Sequence, residues 1–136
     1  MNAKLHLAAL AMLLAGGAAS AQTPAMPGMP EAGTPEAEMI YQSARNQLGV
    51  LKHCQTQGFI GEEAIATQEK MLGMIPAGDV ALGDAAEEKG AGGTVVSMGT
   101  EMTLEDGAKQ QSTTPEAMCK QMETAMAQLA SQLPAE

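Results

Sequence analysis

Aromatic residues are almost missing from this chain of 136 residues. It contains no tryptophan, one tyrosine (Tyr41) and one phenylalanine (Phe59). A core must therefore be built from Leu, Ile, Val, Met and Ala, and small domains of this kind are marginally stable. We expect Phe59 to close one end of this core and a covalent crosslink to contribute much of the stability.

Recognisable catalytic motifs are missing as well. The sequence has no Gly-x-Ser-x-Gly, no His-Glu-x-x-His and no Cys-x-x-Cys, the spacings of serine hydrolases, zinc proteases and thioredoxin-like proteins. Beyond residue 21, His53 is the only histidine. We therefore predict that the protein is not an enzyme and has no catalytic, cofactor-binding or metal-ligating residues. An enzyme or metal carrier is the weaker alternative.

The first 21 residues have the pattern of a secretory signal peptide. Lys4 precedes an apolar run from Leu5 to Ala15, and the segment ends in the small residues Ala19-Ser20-Ala21. Such an ending predicts cleavage between Ala21 and Gln22, and the apolar run is too short for a transmembrane span. We expect a periplasmic or secreted protein.

Basic residues are few. Removing residues 1 to 21 takes away one lysine and leaves six basic against 16 acidic residues, a net charge of −10. Phosphate backbones would repel such a chain, which excludes nucleic acid as an expected partner. A protein or a membrane remains as the partner, and the sequence sets no oligomeric state.

Residues 22–33, QTPAMPGMPEAG, predict a flexible linker because they are rich in proline and glycine and have no periodicity. Met26 and Met29 lie in this stretch. Thioether ligands suit Cu(I), but two methionines in such a segment favour an incidental tether. A single helical domain is expected over residues 34–133.

Thr34 to Gly58 contains the strongest helix signal. Thr34 is a favoured N-cap and Pro35 suits the first helical position. The buried stripe is predicted to contain Ala37, Ile40, Ala44, Leu48, Leu51 and Cys54. Arg45 and Asn46 fall off this stripe, as do Lys52 and Gln55, and Tyr41 with Arg45 predicts a surface pair.

Three further helices are indicated before residue 112. The first, Glu62 to Ile75, has a stripe that includes Gln68 and Met71 and ends before Pro76. The second, Asp79 to Lys89, has an acidic start. The third is short, begins at Thr103 and reaches Gln111. Glu87 and Glu88 predict a solvated face. The pattern gives four to five helices and an all-α fold.

Glycines interrupt the helical pattern between Gly90 and Gly99. Its glycines lack the lysine and hydroxyl spacing of a P-loop and indicate close backbone packing or flexibility. Thr94 to Met98 is a β-branched run, but no other segment resembles a partner strand. We favour a helix, continuous or broken near Gly92, with Val95, Val96 and Met98 toward the core and Gly99 as its end.

Thr114-Pro115 opens a last helix that Pro134 is expected to end. Its predicted stripe is Met118, Met122, Ala125, Met126, Leu129 and Leu133, with Cys119 beside it in the first turn. Two cysteines in an exported chain predict one disulfide, Cys54 to Cys119, and this pairing requires the first and last helices to run antiparallel. A redox-active pair and a metal site with His53 are the alternatives.

The segments SARNQLGVLKHCQTQGFIG, QEKMLGMIP and GTVVSMG, followed by Cys119, resemble a family of small exported bacterial proteins described as pore-forming, of the early-secreted-antigenic-target type. The resemblance covers about residues 44–122. It implies a helical exported domain and a membrane-inserting activity. A weaker similarity, in size, export and disulfide, is to two-cysteine acid-stress chaperones of the periplasm. We expect an envelope protein that interacts with membranes or forms pores, or alternatively a periplasmic chaperone.

Overall fold

The computed structural model describes residues 28–134. The predicted signal peptide, its cleavage point and the part of the linker with Met26 lie outside the described residues. Within them the chain forms five helices and one two-stranded sheet: α1 Pro35–Thr56, α2 Glu63–Leu72, α3 Val80–Ala91, β1 Thr94–Ser97, β2 Thr100–Thr103, α4 Leu104–Gln110 and α5 Pro115–Ala130. The predicted helical character and the four to five helices are confirmed, but the small sheet departs from the predicted all-α fold.

Side-chain caps begin four of these helices. The hydroxyls of Thr34, Thr103 and Thr114 each accept a hydrogen bond from the backbone N–H three residues later, at the starts of α1, α4 and α5. The carboxylate of Asp79 does the same for α3. These bonds satisfy N–H groups that have no partner inside the helix, which is why the threonine caps could be predicted.

Two helices are shorter than predicted. α2 ends at Leu72 instead of Ile75: the N–H of Gly73 still bonds four residues back to Glu69 O, but the N–H of Met74 bonds three residues back to Met71 O, which tightens the last turn. α5 ends at Ala130 instead of continuing to Pro134. There the Ser131 hydroxyl donates to Gln128 O at 2.6 Å, a local bond that competes with helix continuation.

Residues 94–103 form a β-hairpin, so the prediction of a helix in this region is wrong. β1 and β2 pair antiparallel, with Ser97 opposite Thr100. Between them Met98 and Gly99 have φ of 49° and 77°, and positive φ at both central residues is the geometry of a type I′ turn. Met98 is 99% exposed, so its predicted place in the core is also wrong, whereas Val95 does pack on the core.

The main core surrounds the disulfide. Its buried members come from α1, α2, the start of α4, α5 and the loop before α2, and are Val50, Leu51, Cys54, Ile60, Ala64, Leu104, Cys119 and Met126. Phe59 packs against this cluster, as predicted. The core is aliphatic and thioether-rich because the sequence offers little else.

The predicted disulfide between Cys54 and Cys119 is present. Their α-carbons lie 5.7 Å apart, and both residues are fully buried. The bond joins the end of α1 to the beginning of α5. Further along, α5 packs chiefly on α2, while α3 packs chiefly on α1.

Candidate functional site

An open cleft of about 820 Å³ lies among α1, α2, α3 and the tip of the hairpin. Its volume falls in the range of about 300–1,000 Å³ that is typical of small-molecule sites. Apolar side chains dominate the lining, which consists of Met29, Met39, Ile40, Gln42, Ser43, Ala44, Gln47, Gln68, Met71, Ile75, Leu82, Ala85, Ala86, Lys89, Val96, Met98 and Gly99. Lys89 is the one charged residue in this lining, and it forms an ion pair with Glu101.

Four methionines line the cleft, and they come from four different parts of the chain. Met29 precedes α1, Met39 lies in α1, Met71 in α2 and Met98 at the hairpin turn. Methionine has three rotatable side-chain bonds and a polarisable sulfur, so surfaces rich in it adapt to differently shaped apolar partners. Met29, predicted to be part of an incidental tether, therefore belongs to the cleft.

Gln68 places a buried amide in this apolar lining. Its Nε2 donates to the carbonyl oxygen of Ala44 at 2.9 Å, which ties α2 to α1. Its Oε1 is the only buried side-chain polar atom without a hydrogen-bond partner in residues 28–134. A buried acceptor without a donor is unfavourable. Gln68, which lines the cleft, thus carries a buried acceptor that no donor of residues 28–134 reaches.

The apolar stripe of α1 divides between two surfaces. Leu48, Leu51 and Cys54 lie in buried surroundings, as predicted. Ile40 was expected on the buried stripe but is 39% exposed, and with Ala44 it lines the cleft. The first half of the stripe therefore lines the cleft, and the second half packs in the core.

Asn46 joins α1 to α3 and to the hairpin, although the sequence pattern placed it off the buried face. Its Nδ2 donates to Ala86 O and to Thr94 O, both at 3.0 Å. Its Oδ1 accepts from the N–H of Val96 at 2.9 Å. All three bonds are made by a buried side chain, so Asn46 fixes the hairpin beside the cleft.

A cluster of ion pairs also connects α1 with α3. Arg45 contacts Asp84 at 2.5 Å and Glu87 at 2.6 Å, and Lys52 contacts Glu87 at 2.5 Å. Arg45 Nη1 also donates to the hydroxyl of Tyr41 at 3.2 Å. The predicted Tyr41–Arg45 pair therefore exists, but Tyr41 is buried, and Glu87 is half-buried and not on a solvated face.

The pKa of Glu87 reflects these neighbours. Burial alone would raise the pKa of this carboxyl, but the hydrogen bond and charge of Lys52, together with Arg45, outweigh burial and lower the pKa below its ordinary value of 4.5. Burial likewise opposes the charged form of Arg45, yet its bonds to Tyr41 and Glu87 raise its pKa. Both groups are therefore held in their charged forms.

Neither a cluster of metal-ligating residues nor a membrane-spanning helix occurs in residues 28–134. His53 has its Nδ1 3.2 Å from Ala91 O, and no cluster of three or more His, Cys, Asp or Glu suited to a metal occurs in residues 28–134. None of the helices in that range has both the length and the apolar character for crossing a bilayer.

No protein-family model, curated protein or solved structure matches the chain.

Sequence reasoning missed the cleft itself, because its lining comes from segments that are distant in the chain. One signal pointed toward it: Gln68 interrupts the apolar stripe of α2, and a polar residue in such a stripe is buried with a partner or near a site. Asn46 gave no comparable signal, since its position on α1 suggested solvent.

Proposed function

We propose that the protein is an exported, non-enzymatic envelope protein that binds an apolar segment of another polypeptide in the cleft, as a periplasmic chaperone does. One observation carries the proposal: the cleft combines an adaptable, methionine-rich lining with a buried, unpaired acceptor on Gln68. The similarity of the chain to two-cysteine acid-stress chaperones, in size, export and disulfide, leads to the same expectation. The buried disulfide supports an oxidising compartment such as the periplasm.

The unpaired acceptor favours a polypeptide over a lipid acyl chain as occupant. An acyl chain has no hydrogen-bond donor along its length, whereas an extended polypeptide offers one N–H at each residue except proline. The side chains of an apolar segment would fill the lining, and a backbone N–H would reach Gln68. A lipid tail would leave the oxygen unpaired.

The proposal includes an antiparallel arrangement of α1 and α5. Cys54 lies in the last turn of α1 and Cys119 in the first part of α5. The disulfide joins a late position of α1 to an early position of α5. In a parallel pair these two positions would lie at opposite ends of the helices, so the bond supports an antiparallel pair. In this arrangement the disulfide would hold α5 against the α1–α2 side of the domain.

Two substitutions on the same helix test the binding proposal. Leu82 is 50% exposed and lines the cleft, whereas Val80 is 62% exposed and lies outside it. Leu82→Glu should weaken the binding of a fluorescent leucine-rich peptide, measured by anisotropy, while the matched control Val80→Glu should leave it unchanged. Equal binding by wild type and both variants would contradict the assignment of the cleft.

Membrane interaction or pore formation is the second candidate. The exposed large apolar side chains of the described residues favour it, since Met39, Ile40, Val80, Leu82 and Met98 could contact a bilayer together. The resemblance to the pore-forming family leads to the same expectation. The net charge of −10 beyond residue 21 makes neutral bilayers better targets than anionic ones.

Dye leakage from neutral and anionic vesicles, at neutral and acid pH, separates the two candidates. A bilayer would take up the whole exposed apolar surface, so Val80→Glu should reduce leakage as much as Leu82→Glu. If the cleft binds peptides and does not insert in membranes, no leakage occurs, and only Leu82→Glu weakens peptide binding. Absence of leakage in all conditions would exclude the membrane candidate and leave peptide binding as the proposal.

A further inference from the structure

We infer that Gln68 recognises a backbone N–H of the bound segment, so that the cleft selects an extended, uncharged apolar stretch with basic flanks. This inference rests on the proposed function, because it specifies the polypeptide that the cleft binds. It goes beyond that function by naming one recognition atom, Oε1 of Gln68, and the chemistry of its partner.

The orientation of the Gln68 amide follows from its neighbour. The amide atom that lies 2.9 Å from Ala44 O faces a carbonyl oxygen, which can only accept. That atom must be the nitrogen, and the other must be the oxygen. The unpaired group is thus an acceptor, and its partner has to be an N–H or O–H donor.

An extended segment supplies such a donor and a helical one does not. In a helix the backbone N–H groups beyond the first turn are already bonded within the helix. In an extended segment every second side chain faces the same side. Alternate apolar side chains would then occupy the lining while an intervening N–H bonds to Gln68.

Binding requires a small rearrangement. Gln68 is 1% exposed, so its oxygen lies beneath the surface of the cleft. Met71 lies one turn further along α2 and lines the same cleft, and its flexible side chain can move without a change in the backbone. The bonded amide nitrogen keeps Gln68 in place while its oxygen becomes accessible.

Charge defines the rest of the partner. The single charged residue of the lining, Lys89, is already paired with Glu101, so the cleft offers no counter-ion to a charged side chain inside it. The chain beyond residue 21 has a net charge of −10, which attracts basic partners over a distance. Basic residues on either side of the apolar stretch would therefore be attracted.

A scan with N-methylated peptides tests the inference on the wild-type protein. The probe is a capped peptide with a leucine- and alanine-rich centre and lysines at both ends, methylated in turn at each central nitrogen. Methylation at one position should weaken binding about fivefold to tenfold, the effect of one lost hydrogen bond. Gln68→Met keeps the side-chain length but has no amide. This variant should bind the methylated and the unmethylated peptide with equal affinity.

The outcomes are distinct. If wild type binds the parent peptide but no methylated position is sensitive, the inference about Gln68 is wrong and the proposed function stands. Equal sensitivity in wild type and Gln68→Met would also overturn it, since the effect would then be steric. If wild type binds no such peptide, the proposed function fails as well. Replacing the lysines by glutamates should weaken binding, and an unchanged affinity would contradict the basic flanks.

Discussion

A β-carbon added to Gly90 would lie 3.0 Å from the carbonyl carbon of Gly49, so the backbones of α1 and α3 touch at these two glycines. The relationship is reciprocal, because a β-carbon on Gly49 would collide with the carbonyl oxygen of Glu87 and lie 2.8 Å from Ala91 N. No rotamer change relieves a clash with backbone. The close approach sets the position of α3, which forms one wall of the cleft.

Gly90→Ala should therefore destabilise the protein. The added methyl group forces the helices apart, and overpacking of this kind costs about 1–3 kcal/mol or more. Gly73→Ala is the matched control, because its β-carbon would meet Lys70 O at 3.4 Å and Glu69 O at 3.9 Å, both ordinary contacts, and its φ is −68°. Urea denaturation followed by circular dichroism measures both. Equal stability of the two variants would show that α3 can move away without loss.

Removal of the disulfide should be the most damaging change in the core. The bond closes a loop with a sequence separation of 65 residues, for which chain entropy predicts about 4 kcal/mol of stabilisation. A double Cys54→Ala, Cys119→Ala variant should unfold at a much lower urea concentration than the wild type. Wild type treated with a reducing agent should behave similarly. If the free energy of unfolding of the variant lies within about 1 kcal/mol of that of the oxidised wild type, the aliphatic core stabilises the fold without the disulfide.

The helices were predictable because their signals are local. Thr34-Pro35 and Thr114-Pro115 each combine a cap with a residue preorganised for the first turn, and the structure starts α1 and α5 at these positions. The disulfide followed from the count of two cysteines.

The hairpin was not predictable from β-propensity, because β2 reads TEMT and is largely exposed. Its turn is Met-Gly, which is not the Asn-Gly sequence that usually marks a type I′ hairpin.

The cleft was beyond sequence reasoning for a different reason. Periodicity reports that one face of α1 is apolar, but not that Ile40 and Ala44 face an open space while Leu51 faces packed neighbours. That division depends on where α2 and α3 lie. The position of α3 depends in turn on Gly49 and Gly90, whose contact joins residues distant in the chain.

Acid should weaken the attachment of α3 to α1. The pKa of Glu87 is lowered from 4.5, so its ion pairs with Lys52 and Arg45 contribute fully above that value and are lost as the pH falls through the lower, folded-state pKa. The free energy of unfolding should therefore decrease below about pH 4.5. Glu87→Gln should reduce this slope, as measured by denaturation at a series of pH values.

Glu88→Gln is the control for the acid effect. Glu88 is exposed and adjacent to Glu87, and it forms no salt bridge within residues 28–134. Its substitution should leave the pH dependence close to that of the wild type. If Glu87→Gln and Glu88→Gln give the same slope, the acid response comes from overall charge and not from the ion pairs between α1 and α3.

Asn46→Leu should release the hairpin. The substitution leaves the N–H of Val96 and the carbonyl oxygen of Thr94 without their partner, whereas Ala86 O loses only an additional bond because it lies within α3. Each unpaired buried group costs about 1–3 kcal/mol. Hydrogen exchange at the amide of Val96 should accelerate, whereas Ser43→Ala, an exposed change in the same helix, should leave it unchanged. Unaltered exchange in Asn46→Leu would mean that the strands hold the hairpin by themselves.

Met98→Asn should separate stability from binding. Met98 adopts a φ of 49°, a conformation that asparagine tolerates better than methionine, and Asn-Gly is the preferred sequence for a turn with two positive φ values. The variant should be more stable by roughly 0.5–1 kcal/mol. Because Met98 is fully exposed and lines the cleft, the same change should weaken peptide binding. Thermal unfolding and peptide anisotropy on one sample measure both effects. A gain in stability with unchanged binding would place the bound segment away from the hairpin, whereas a loss of binding would explain why an apolar residue occupies a position that the backbone favours for asparagine.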